Sequence, residues 1–153
     1  MHDYTSFNTI CVHSGTQIDK ELKGVNTPIH TSSSFGYIGA DENKYPRYFN
    51  TPNQLAVVKK LCALEGADDG VLFSSGMAAI STVLFGFLKA GDHLVLSKEI
   101  YGGTYHFVIT ELNRIGISYT FTETTAVESF EAAIQENTKM IYLETPSNPL
   151  LNL

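Results

Sequence analysis

The sequence predicts an α/β protein built on a mostly parallel, doubly wound sheet, and three observations carry that expectation. Short apolar runs alternate with segments of helical period. The links between successive apolar runs are long enough to hold a crossover helix. Most helical segments open on a capping signal or close on a glycine, so the alternation is punctuated and not accidental.

Taken in order, residues 1–50 hold no sustained period and are rich in Ser, Thr, Asn, Gly and Tyr, which predicts an extended arm. Thr51-Pro52-Asn53-Gln54 has the form of a capping box with proline at the first helical position. A helix to about Glu65 follows, with Leu55, Val58, Leu61 and Cys62 as its buried stripe and Gly66 as its stop. "GVLF", residues 70–73, predicts a short buried strand. After Ser74-Ser75-Gly76, a second helix carries Met77, Ile80, Val83, Leu84, Phe87 and Leu88 at helical spacing. "GDHLVLS" is the next strand, and the loop "KEIYGGT" leads to a helix with Tyr105, Val108, Ile109, Leu112 and Ile115 on one side, closed by Gly116. "ISYTFTE" is a third strand. Thr125 and Glu128 form a second capping box before a short helix lined by Val127, Phe130 and Ile134, and "KMIYLE" is a fourth strand.

Composition narrows the function. With 153 residues, 43% of them hydrophobic and 11% aromatic, the chain can build one real core. A net charge of -6 with only 10 Lys and Arg offers no basic stripe, which disfavours nucleic acid as a partner. The start lacks a targeting segment, and Ile80 to Leu88 is too short to span a bilayer, so a cytoplasmic protein without a membrane partner is expected. Cys11 and Cys62 lack metal-type spacing and read as ordinary reduced thiols. His2, His13, His30, His93 and His106 show no ligand pattern, so no metal is expected, and neither a dinucleotide glycine motif nor a serine-hydrolase elbow is present.

In a doubly wound sheet, ligands bind beyond the carboxyl ends of the strands, and three polar clusters fall there. Ser75, Gly76 and Met77 open a helix, where backbone N–H groups and the helix dipole favour an anion; Ser75 as a plain cap is the equal alternative. Tyr101 sits where an aromatic face could stack on a flat ring, although a loop tyrosine is more often a packing residue. Glu144 and Asn148 close the fourth strand in "ETPSNP", as a stiffened pair of side chains or as an ordinary turn. In the arm, Tyr45 and Arg47 of "KYPRYFN" would offer a hydroxyl and a forked guanidinium to a phosphate, or stand solvated.

"NTPIHTSSSF", "YPRYFNTPNQ", "LEGADDGVLFSSGMAAI", "AGDHLVLSKEIYGGTY" and "IYLETPSNPLL", in that order, resemble the transsulfuration family of pyridoxal-phosphate enzymes over nearly the whole chain. That family includes cystathionine γ-synthase, the cystathionine lyases, methionine γ-lyase and O-acetylhomoserine sulfhydrylase. The resemblance implies a fold type I, aspartate aminotransferase-like enzyme, with residues 1–50 as an arm reaching a neighbouring subunit and 51–153 as the first part of the large cofactor domain. It implies pyridoxal 5′-phosphate as cofactor, its phosphate cradled at Ser75, Gly76 and Met77. Tyr101 would stack on the pyridine ring and help move protons, making it the one catalytic residue. Asn148 would hydrogen-bond the ring's phenolic oxygen, with Glu144 supporting that side. Tyr45 and Arg47 would cross to the phosphate of the partner in a homotetramer of two-fold dimers.

The activity so implied is elimination or replacement at Cβ or Cγ of a sulfur-containing amino acid, with a γ-lyase slightly ahead. Gly103 stands where some methionine γ-lyases carry a cysteine, which keeps cystathionine and O-acylhomoserine as substrates. Asn50-Thr51-Pro52 inverts the last two residues of the family's usual Asn-Pro-Thr, and Tyr48-Phe49 adds aromatic bulk. The family's aspartate, cofactor lysine and substrate-carboxylate arginine lie beyond the position of Leu153, and neither Lys98 nor Lys139 stands in the lysine motif. Residues 1–153 alone are therefore expected to be incompetent for turnover and to be the N-terminal portion of a longer enzyme; a noncatalytic phosphate-binding protein is the alternative.

Overall fold

The structure, a computed structural model, describes residues 6–153; residues 1–5, with His2 and the first part of the expected arm, lie outside the described residues. The chain forms two compact units, one up to Phe73 and one from Ser74 onward.

The first unit contains a helix where no period was legible. α1 (Phe7–His13) starts on Ser6, whose hydroxyl accepts the Thr9 N–H at 3.3 Å. α2 (Pro52–Glu65) begins as expected, with Pro52 first and Gln54 Oε1 accepting the Thr51 N–H at 3.2 Å, and it ends at Gly66 with φ 66°. α1 lies on α2: Lys60 Nζ donates to the carbonyls of Cys11 and Val12 at 2.9 and 3.1 Å. At Gly15 a Cβ would meet Ala56 O at 2.6 Å, so only glycine admits this approach, at a φ of 72° that also favours it. The expected buried stripe of α2 is not formed: Leu55, Val58 and Cys62 are half-buried and Leu61 is 49% exposed, because the short α1 covers only part of that face. "GVLF" joins no ladder among the described residues, and Val71 is exposed; an apolar run becomes a strand only where a neighbour takes its backbone groups.

In the second unit, a three-stranded sheet has the order β2-β1-β3, formed by β1 (His93–Leu96), β2 (Ser118–Phe121) and β3 (Thr138–Tyr142). Both pairings are parallel, so the expected alternation yields the expected sheet class. α3 (Gly76–Phe87) precedes β1, and α4 (Gly102–Phe107) follows it, running on through a π turn over Val108–Leu112 and a 3₁₀ turn over Asn113–Ile115 to Gly116 at φ 77°. Leu84 and Leu88 from α3, Val108, Leu112 and Ile117, and Leu94 and Leu96 from β1 form one core cluster. Val83 and Phe87, expected in this stripe, are 43% and 75% exposed, since the core takes only the Leu84–Leu88 edge.

α5 (Val127–Ala133) links β2 to β3, but the second capping box is not made. Ala126 is the cap, and the turn before it is closed instead by Ser129 Oγ, which accepts the N–H groups of Glu123 and Thr124 at 3.0 and 3.2 Å. Among the described residues no helix is long and apolar enough to cross a membrane, and Cys11 and Cys62 are unpaired.

His93, fully buried on the β1 face opposite Leu94, bridges all three strands: its Nδ1 lies 2.8 Å from Thr138 Oγ1 and its Nε2 2.9 Å from Thr120 Oγ1. Burial without a countercharge lowers its pKa from the usual 6.5. The unfolded chain therefore binds a proton that the native state refuses, and native stability should fall as pH drops below about 6.5 until the native value is reached. Urea midpoints at pH 5, 6 and 7 for the protein and for His93→Gln check this. The parent should lose stability toward pH 5 more steeply than the variant; parallel curves would refute the assignment.

Candidate functional site

Parallel pairing brings the exits of β1 and β3 to one edge, and the three clusters expected to bind a ligand in this unit begin at those exits or at the start of α3. The β1 exit is pinned early. Buried Thr122 accepts the Lys98 N–H at 3.2 Å, and buried Ser97 accepts the Glu99 N–H at 3.3 Å.

Glu144, half-buried at the exit of β3, is the junction of the site. Its Oε2 accepts the backbone N–H of Tyr101 at 2.8 Å. Its Oε1 accepts the Tyr142 hydroxyl at 2.7 Å and lies 3.4 Å from the hydroxyl of Thr104, which is fully buried. Tyr142, the last residue of β3, stands two residues before Glu144. Burial first, then the bond to Glu144, pushes its pKa from 10.0 up to about 12, so it remains a donor across the ordinary pH range. Neither Tyr142 nor Thr104 was singled out from sequence, since their roles depend on a partner many residues away; the i, i+2 spacing of Tyr142 and Glu144 was the only local signal.

Tyr101 caps α4 and is 52% exposed. A Cβ at Gly103 would fall inside van der Waals contact of Tyr101 Cε1, so the ring rests against the bare Cα of Gly103. The Thr104 hydroxyl also lies 4.0 Å from Met77 Sδ, which joins the first turn of α3 to the Tyr101 loop.

At that first turn, Ser75 Oγ accepts the Ala78 N–H at 3.1 Å, as a cap does. This leaves the N–H groups of Gly76 and Met77 without a partner among the described residues, and a Cβ at Gly76 would meet nothing within 4 Å. The capping and anion readings therefore coexist. Two free donors at the positive end of a 12-residue helix, with open space before them, fit a phosphate group.

Asn148 is exposed and makes no hydrogen bond among the described residues, whereas the preceding Ser147 is buried. The peptide bonds Thr145-Pro146 and Asn148-Pro149 are cis. Ser147 Oγ donates to Glu99 Oε2 at 2.9 Å, and Asn152 Nδ2 donates to Glu99 Oε1 and Oε2 at 3.1 and 2.8 Å. The bonds from Asn152 and then Ser147 hold the Glu99 carboxyl below its usual range.

Tyr45 and Arg47 belong to the first unit. Tyr45 meets Tyr48 edge-on at 5.4 Å and donates its N–H to Asn50 Oδ1 at 2.9 Å. Asn50 Nδ2 in turn donates to Asn43 O at 2.8 Å and Glu42 Oε1 at 3.0 Å, closing the loop that presents Arg47, which is exposed and in no ion pair among the described residues. The described residues hold no group of three His, Cys, Asp or Glu that could bind a metal.

The family described as Cys/Met metabolism PLP-dependent enzyme matches residues 8–153. Cystathionine gamma-lyase of Bacillus subtilis is 41% identical over 147 residues, which is 95% of this chain and 38% of that protein. L-methionine gamma-lyase of Porphyromonas gingivalis is 38% identical over 160 residues, 97% of this chain and 40% of that protein. The crystal structure of cystathionine gamma-lyase from Lactobacillus plantarum, complexed with L-serine, matches with a TM-score of 0.86 at 37% identity, covering 97% of this chain and 39% of that one. The chain thus spans about two fifths of the length of the relatives it matches.

Tyr142→Phe removes the shortest bond to Glu144 and should cost about 1 kcal/mol of stability. In an absorbance titration of the phenols, one tyrosine of the parent should ionise only near 12 and be missing from the variant. Because the native value is raised, the associated stability is full below 10 and lost as the pH climbs through about 12. A parent curve without that late component would argue against a buried donor.

Proposed function

Because the chain belongs to the Cys/Met metabolism PLP-dependent enzymes, we propose that it is the cofactor-holding part of an enzyme that eliminates or replaces a group at Cβ or Cγ of a sulfur-containing amino acid. Cystathionine, methionine and O-acylhomoserine are the candidate substrates, with γ-elimination favoured slightly. The observation that carries this reading is the pair of unpartnered N–H groups of Gly76 and Met77, tied through Met77 and Thr104 to the Glu144 junction.

When bound, pyridoxal 5′-phosphate supplies a ring that accepts the electron pair left by loss of the substrate's α-proton. The chain's own residues bind and orient. The N–H groups of Gly76 and Met77 take the phosphate at the positive end of α3, with Ser75 keeping that turn capped. Tyr101 offers its exposed ring face for stacking, and its phenol holds or passes a proton. Asn148 donates its carboxamide to the ring's phenolic oxygen. Glu144 fixes the Tyr101 loop by its backbone and so works through another residue.

Residues 1–50 serve as an arm and 51–153 as the start of the cofactor domain. Tyr45 and Arg47 reach the phosphate of a neighbouring subunit, in a homotetramer of two dimers working in the cytoplasm. Residues 1–153 alone hold the phosphate without turnover, because no lysine here stands in the family's cofactor-lysine motif.

Gly76 is the first residue of α3 and Ser75 is extended at φ −157°, ψ 158°, so proline fits at position 76 while removing one phosphate donor. Gly76→Ala adds a Cβ and keeps the donor. Equilibrium dialysis of pyridoxal 5′-phosphate should show Gly76→Pro binding about tenfold weaker than Gly76→Ala, with unchanged helix content by circular dichroism. Equal affinities would remove the phosphate from this helix terminus.

A further inference from the structure

Two loops leave the same edge of the sheet, and each sends a carboxylate to the other. From the base of the β3 exit, Glu144 takes the Tyr101 N–H. From the β1 exit, two residues before Tyr101, Glu99 takes the Ser147 hydroxyl and the Asn152 carboxamide. The turn so gripped is also closed on itself: Ser147 N–H donates to Asn152 O at 2.9 Å, Leu151 N–H to Ser147 O at 2.8 Å, and Asn152 N–H to Ser147 Oγ at 3.1 Å. Asn148 makes no hydrogen bond among the described residues, so its place is fixed through Ser147, the one buried residue of the turn.

We propose that Glu99 is a positioning residue for Asn148, holding the 145–152 turn so that the Asn148 carboxamide is presented to the cofactor ring while Glu144 presents Tyr101. This rests on the reading of Asn148 as a cofactor contact. A charged acceptor suits the task, because three hydrogen bonds to one carboxylate are each stronger than bonds to a neutral oxygen. Glu99→Gln keeps the shape and removes the charge and one acceptor position. Glu99 is one bond removed from the turn and two residues from Tyr101, so it ties the stacking ring and the amide donor to one loop.

The test uses holoprotein carrying Glu99→Gln, Ser147→Ala, Asn148→Ala, and the Glu99→Gln, Asn148→Ala pair. Amide exchange at Ser147, Leu151 and Asn152 should quicken about tenfold in Glu99→Gln while β1 amides keep the parental rate. Pyridoxal 5′-phosphate should bind several-fold more weakly, with its absorption maximum displaced in the direction seen for Asn148→Ala, and the paired variant should bind no worse than Asn148→Ala alone. Parental exchange in both Glu99→Gln and Ser147→Ala overturns the grip on the turn, even if Asn148→Ala still weakens binding. Faster exchange with unaltered affinity and spectrum makes Glu99 a brace without bearing on Asn148, which also overturns the proposal. An Asn148→Ala holoprotein with parental affinity and spectrum instead removes the reading on which it rests.

Discussion

Parallel pairing is the constraint from which the rest follows. A parallel neighbour is reached only by a crossover that carries the chain back along the sheet, so β1, β2 and β3 all run out at the same edge. β1 lies between its two neighbours and is buried along its whole length, which requires cover on both faces. α3 and the long segment after α4 supply one cover, through Leu84, Leu88, Val108 and Leu112. The polar work is thereby sorted by end. His93 ties the three strands at their start, and Glu99 and Glu144 tie the loops at their exit.

The exit is held by two carboxylates that form no ion pair among the described residues. Glu144 is met by an amide N–H and two hydroxyls, and Glu99 by a hydroxyl and a carboxamide. Neutral donors satisfy a carboxylate's oxygens without ion-pair competition, and they leave its negative charge in place. Beside it, the free N–H groups of Gly76 and Met77 carry the opposite partial charge. The start of α3 is thus partially positive, while the loops around it are framed by carboxylates.

Local signals were legible and distant ones were not. Pro52 and Gln54 at the head of α2, Ser75 at the head of α3, and the left-handed Gly66 and Gly116 each act within a turn of their own position, and each stands where the sequence placed it. The capping box at Thr125 failed because α5 starts one residue later, with Ala126 as its cap, and Ser129 closes the preceding turn on the N–H groups of Glu123 and Thr124. "GVLF" reads as a strand by composition but finds no strand to pair with among the described residues, and α1 is too short to display a period. Glu144 and Asn148 were visible as candidates, yet Glu99, Thr104 and Tyr142 were not. Their partners stand 48, 40 and 2 residues away, and only the last is within reach of a local pattern.

The contact between the Tyr101 ring and Gly103 limits how this loop can change by inheritance. Any side chain at position 103 must displace the ring, since its Cβ would fall where the ring edge now lies. A lineage cannot adjust the two positions separately: a single codon change at 103 re-aims the exposed phenol in the same step. The glycine is thus a lever on the tyrosine, a place where one mutation re-aims a side chain that it leaves chemically intact.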